Sequence, residues 1–162
     1  MTFSFETSIG NNGYTGAILI PDDIAAQLAT DKIKRVVATV MANDKEIILY
    51  AGIAKKHGVI YMMFSKANQK TLGVKAGDSL KIDMREDTSK YQAPMPEELE
   101  AVLLSDYEAY EIFESLLPGK QRNIIFMVYR VIDSQKRVDI ALNIMENLKI
   151  GNHNPIKFEK LL

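Results

Sequence analysis

There is no cysteine in the 162 residues, and the only two histidines, His57 and His153, stand 96 positions apart. The first absence excludes disulfides, thiolate nucleophiles and every cysteine-based zinc site, and it is compatible with a reducing compartment. The histidines have no partners at metal-ligand spacing, so they read as surface residues in a turn and a tail, and a histidine-based triad is unsupported. Long apolar runs are missing too: nothing approaches the ~20 residues needed to cross a bilayer. Met1-Thr2-Phe3-Ser4-Phe5-Glu6 has neither the basic region nor the apolar stretch of a secretory signal, and a cytoplasmic protein without a membrane span is expected. Nor is one sign of charge in excess. With 20 Lys and Arg against 21 Asp and Glu, the formal net charge is -1. A domain that lives by neutralising phosphates usually shows a surplus of Lys and Arg, so the balance counts against nucleic acid while leaving room for a local patch.

What is present is a core-forming composition, 47% apolar and 25% charged, whose periodicity changes partway along. Up to about residue 87 the pattern has mostly period two. Phe3 and Phe5 alternate with polar neighbours, Asn11-Asn12-Gly13 marks a turn, and Tyr14 to Ile20 suits a buried strand. Pro21, followed by Asp22 and Asp23, opens a short helix to about Ala29, because proline pre-sets the first-turn φ and acids favour the positive end of the dipole. Arg35–Met41 and Glu46–Ile53 flank a polar hairpin loop at Ala42-Asn43-Asp44-Lys45, and Lys55-Lys56-His57-Gly58 is the next turn. Val59–Phe64 reads as a strand, Ser65 as an N-cap, Lys66–Leu72 as a helix and Gly73 as its C-cap.

After Asp87 the pattern is helical. Thr88 to Met95, with two turn formers, a proline and no apolar stripe, is the best linker candidate. Pro96 opens a helix to Leu104, and Ser105 with Glu108 reads as a capping box ahead of a face made by Tyr110, Phe113 and Leu117. Pro118-Gly119 breaks it. Ile125, Val128, Tyr129 and Ile132 stripe a third helix; Asp133 or Ser134 caps a fourth, striped by Val138, Ala141, Leu142, Met145 and Leu148 as far as Gly151. The tail, 152–162, ends too apolar to float freely and is expected to pack back.

Sliding the chain by 44 positions lays Pro21–Leu28 over Ser65–Leu72 and Val36–Val40 over Leu80–Met84 without a gap. Each repeat of about 24 residues is a strand, a short helix, a turn and a returning strand, and it exposes an apolar face that only a second copy can bury. Two copies with outer strands added can close a small barrel by pseudo-two-fold pairing, with the helices at its ends. Gly73, Gly77, Asp78 and Pro21 are then turn residues, since glycine alone adopts φ > 0 cheaply. A phosphate cradle normally has more glycines, or a Lys-Ser/Thr, in its loop.

The stretch Ser65-Lys66-Ala67-Asn68-Gln69-Lys70-Thr71-Leu72-Gly73-Val74-Lys75-Ala76-Gly77-Asp78, after the Ile20-Pro21 step, resembles a bacterial split-barrel domain of unknown function. The second half resembles the YdeI/OmpD-associated (bacteriocin-protection) helical domain through Met95-Pro96-Glu97-Glu98-Leu99 and Arg137-Val138-Asp139-Ile140-Ala141-Leu142. Gln69 and Lys136 stand where arginine and threonine are common in those families. The resemblance implies an α+β chain: a six-stranded double-split β-barrel over 1–90, related in shape to AbrB-like transcription factors, a linker at 91–95, a small helical bundle over 96–151 and a tail at 152–162. It implies no catalytic residues.

The acidic pairs Asp22-Asp23 and Asp83, Glu86 and Asp87 sit at a helix start and a strand end, where solvated charge explains them better than acid/base work. The eight methionines read as core filling. Acidic residues crowd Pro96–Pro118, and Lys120, Arg122, Arg130, Lys136, Arg137 and Lys149 follow. That division is either helices pairing face to face or a basic strip for an acidic partner or phosphate. The leading expectation is a non-enzymatic binding or interaction protein tied to stress or bacteriocin protection, without metal or cofactor, whose partner is a protein or small molecule. Nucleic-acid binding in the AbrB-like manner is the alternative, and an enzyme acting on a small molecule is the other. Candidate ligand or phosphate contacts are Lys66, Lys70, Lys75, Lys81, Arg130, Lys136 and Arg137.

Overall fold

The computed structural model describes residues 1–11, 13–14 and 16–162. Asn12 of the expected Asn11-Asn12-Gly13 turn and Thr15 of the expected strand lie outside the described residues. The chain is α+β and divides into two compact units, Met1–Thr88 and Ser89–Leu162.

In the first unit the described strands are β1 (Thr2–Ser8), β2 (Ala17–Leu19), β3 (Arg35–Ala42), β4 (Lys45–Gly52), β5 (Ala54–Lys56), β6 (Val59–Met63) and β7 (Ser79–Glu86), with helices α1 (Asp22–Thr30) and α2 (Lys66–Leu72) between them. They form two antiparallel sheets, ordered β1-β7-β3-β4 and β2-β6-β5. Local chemistry sets the hairpins. Asn43 and Asp44 take φ of 52° and 59°, and His57 and Gly58 take 49° and 78°, the positive pairs that a two-residue turn matching the strand twist requires. Ala42 then faces Lys45, and Lys56 faces Val59.

The 44-residue offset carries β2 into β6, α1 towards α2 and β3 onto β7. Register obeys it as well. Arg35 lies opposite Gly52, and the counterparts Ser79 and Ser8 are also opposite; Val37 faces Arg85, and Lys81 faces Met41. Val36, Ala38 and Val40 of β3 and Leu80, Ile82 and Met84 of β7 alternate into one core with Phe64, Leu72 and Leu28.

The closed six-stranded barrel expected above is not formed. The chain has two open sheets, and β1 and β2 share no ladder: they meet at the isolated bridge Ile9–Ile18 and through Thr7 Oγ1, which donates to Leu19 O at 2.6 Å. The physical reason is strand length. β2 is cut to three residues between the positive-φ Gly16 and Pro21, and β5 is cut to three between Ile53, whose N–H leaves the ladder for Lys34 O, and the His57-Gly58 turn, so neither carries a ladder far enough to close. The helices are not gathered in one late bundle either. Six are described, α1 and α2 here and four in the second unit.

Those four are α3 (Glu97–Ser105), α4 (Tyr107–Ser115), α5 (Pro118–Tyr129) and α6 (Ser134–Lys149), followed by a short 3-10 turn at Pro155–Lys157. α6 packs on the other three. Its buried stripe is Ala141, Ile144, Met145 and Leu148, set against Leu99 and Leu103 of α3, Phe113 of α4 and Ile124, Ile125 and Val128 of α5. Residues 91–95 pack within this unit: Tyr91 meets Phe113 edge to face at 5.4 Å, and Ala93 is buried. The capping box at Ser105 and Glu108 gives way to Asp106, which accepts from Ala109 N at 3.1 Å while Ser105 donates to Val102 O. α5 ends at Tyr129, so Ile132, expected in its stripe, is 96% exposed, and Leu117 and Leu142 also face out.

No helix among the described residues is long and apolar enough to cross a membrane.

Candidate functional site

Glu97, Glu98, Ala101, Val102 and Ser105 recur at helical spacing, so they share one side of α3. That side faces Ser134 and Val138 at the start of α6, and the two helices bound an open groove of about 500 Å³. Pro96 precedes α3, and Glu97, Glu98 and Glu100 in its first turn suit the positive end of the helix dipole. Local helix chemistry therefore also puts the carboxylates at one mouth of the groove. Asp133 accepts from Lys136 N at 2.8 Å and sets the start of α6, which places Ser134 at the opposite wall.

Arg137 ties these parts together. Its Nε donates to Val131 O at 2.5 Å, Nη2 donates to Tyr129 O at 2.9 Å, and Nη1 meets Glu98 Oε1 at 3.3 Å. The two carbonyls belong to the end of α5 and the turn after it, so one guanidinium satisfies orphan backbone acceptors and holds the side chain of Glu98. Among the described residues Glu97 has no ion-pair partner, so it is the free negative charge of the groove.

The residues singled out as ligand contacts do not converge. Lys66 and Lys70 stand one turn apart on the exposed side of α2, and Lys75 lies in the turn where its backbone N–H donates to Asp78 Oδ2 at 2.9 Å. Lys81 points to solvent from β7, with Glu6 directly across on β1; Asp83, two residues on, accepts from Ser4 Oγ at 2.7 Å. That sheet face is thus mixed in sign. Gly73 (φ 69°) terminates α2, Gly77 (φ 89°) donates to Ile9 O, Asp78 O accepts from Ile9 N, and Pro21 precedes α1. Arg130 lies over the Phe126 ring at 5.7 Å, Lys136 is exposed, and Arg137 is turned inwards, so the three do not form a strip.

Two other polar clusters lie in the second unit. Tyr91 donates to Glu114 Oε1, and Lys90 Nζ sits 3.3 Å from the same carboxylate. Burial pushes the phenol up to about 12, with the bond to Glu114 adding to it. A phenol so held stays protonated, so it acts as a latch and not as a base. Lys149 reaches Asp106 at 2.8 Å and Glu146 at 2.9 Å, and its hydrogen bond holds the Asp106 carboxyl below the usual value. Among the described residues no group of three His, Asp or Glu side chains could hold a metal ion.

Sequence reasoning passed over Ser105, Ser134 and Val138 as site residues, and only the Glu97-Glu98 pair ahead of an apolar run hinted at the groove. No protein-family model matches this chain, and no match is found among curated proteins.

Proposed function

We propose that the chain is a non-enzymatic binding module whose α3/α6 groove takes a peptide segment carrying Lys or Arg beside an aliphatic side chain. The groove lining supports this reading. Ala101, Val102 and Val138 offer an apolar floor, the Ser105 and Ser134 hydroxyls can pair with a ligand backbone, and Glu97 supplies an unneutralised charge at the rim. Apolar contact gives affinity in such a groove, and the rim charge selects the partner and speeds encounter. Glu98, already held by Arg137, shapes the wall.

The test is an amide-resolved NMR titration of the full chain with a soluble peptide of alternating Leu and Lys. Shifts should concentrate at Ala101, Val102, Ser105, Ser134 and Val138, and Glu97→Lys should weaken binding by on the order of tenfold. A titration that leaves these amides unmoved, or that Glu97→Lys does not alter, would reject the proposal.

A further inference from the structure

α6 carries a polar surface on the side away from the groove, where the chain's own residues 159–162 are bound. Asn143 and Asn147 are four residues apart and lie about 140° and about 180° round the helix from Val138, which lines the groove. Asn147 is fully buried, yet each of its four hydrogen-bonding positions is used. Its Nδ2 donates to Asn143 O at 2.9 Å and Glu159 O at 2.8 Å, and its Oδ1 accepts from Glu159 N at 2.9 Å and Asn152 Nδ2 at 3.0 Å. Asn143 continues the ladder. It donates to Glu159 O at 2.9 Å and accepts from Leu161 N at 2.7 Å and Leu162 N at 3.2 Å. Every contact these two amides make with residues 159–162 is to main-chain atoms. Within 155–162, Pro155 is buried and Phe158 is set against the core, whereas Ile156 is 91% and Leu162 67% exposed.

An extended peptide ligand is commonly held in a similar way, by hydrogen bonds to its main chain with pockets for a few of its side chains. The site is already filled by a segment of its own chain, joined to α6 through residues 150–154 with Gly151 at φ 88°. A second copy of the chain carries the same segment, so the bonds of residues 159–162 to Asn143 and Asn147 are reproduced when the segment crosses over, and only the connection, where Asn152 bonds Asn147 and Lys157, must change its path. We propose that the Asn143/Asn147 face is a peptide-binding site whose ligand is segment 155–162, seated in its own chain or delivered from a second copy. The short connection gives the tethered segment an effective concentration of roughly millimolar, which keeps wild-type copies closed. Crossing over becomes visible when the tethered competitor is crippled.

Two full-length variants make the exchange measurable. Asn143→Ala damages the site and leaves its segment intact; Phe158→Ala removes the anchor and leaves the site intact. Mixed, they should form a one-to-one complex of twice the 18.2 kDa chain mass in native mass spectrometry. Its abundance should exceed the self-associated fraction of either variant by on the order of tenfold, because three hydrogen bonds or the anchor is missing in every self-pairing. A mixture that reproduces the two separate spectra would overturn the proposal, as would an equal complex formed with the Asn143→Ala/Phe158→Ala double variant. Should Phe158→Ala fail to fold by circular dichroism, Glu159→Pro takes its place, since it removes the N–H that Asn147 accepts and leaves the aromatic contact alone.

Discussion

Gly73 and Gly119 lie at opposite ends of helices and have opposite consequences for stability. Gly73 ends α2 at φ 69°, where a Cβ would approach Asn43 Nδ2 at 3.4 Å, and that amide donates to Leu72 O and Gly73 O. Gly73→Ala is expected to cost about 1–2 kcal/mol, because an L side chain is disfavoured in the left-handed region. Gly119 lies in the first turn of α5 with open space around a Cβ, and alanine there should add about 0.4–1 kcal/mol by restricting the unfolded chain. Urea denaturation of the two variants checks both signs. The turn residues Gly73 and Gly77 were legible in the sequence because the preference for φ > 0 belongs to the residue, and Asp78 because its short carboxylate bonds nearby backbone, here Lys75 N. The roles of Arg137 and Asn147 were not, because a side chain's partners come from other segments.

Caps and periods show the same division between elements. The Ser65 cap, the Asp133 cap and the hairpin at Asn43-Asp44 follow from short-range hydrogen bonding and backbone preference, and the chain adopts them where the sequence places them. Ile132 was misread because a helical stripe continues on paper past the point where α5 stops. Val131 and Tyr129 there present carbonyls to Arg137, which makes the turn into α6. Arg137→Lys should therefore cost about 1–3 kcal/mol, since an ammonium cannot span two carbonyls and Glu98 as the planar guanidinium does. Combining it with Glu98→Gln in a double-mutant cycle should yield a coupling of about 0.5–1.5 kcal/mol, and additive effects would show that the pair is energetically silent.

Across the full chain, acid sensitivity is expected to arise in part at the joint of α3, α4 and α6. The Asp106 carboxyl is held below 3.8 by its hydrogen bond from Lys149 and by Ala109 N, so its folded value is depressed. Its contribution is complete above the unfolded value and is lost as pH falls through the folded one. Asp106→Asn should thus be less stable than the wild type near neutral pH, and the gap should close below pH 3.8, as read from urea midpoints along a pH series. Tyr91 behaves in the opposite sense. Its raised value means that its stabilisation is present below 10 and lost as pH rises through about 12, a loss that Tyr91→Phe should abolish. The strand and helix segments, the 44-residue repeat and the change of period are written in local preferences, and so they could be read along the chain. Whether the sheets close, which carbonyls Arg137 meets and which backbone Asn143 and Asn147 grip depend on how the chain turns between elements and brings separate segments together. Three-residue β2 and β5 leave the sheets open, and the Asn143 and Asn147 amides of α6 reach backbone more than ten residues away, at 159–162, because packing in three dimensions brings it within hydrogen-bonding distance.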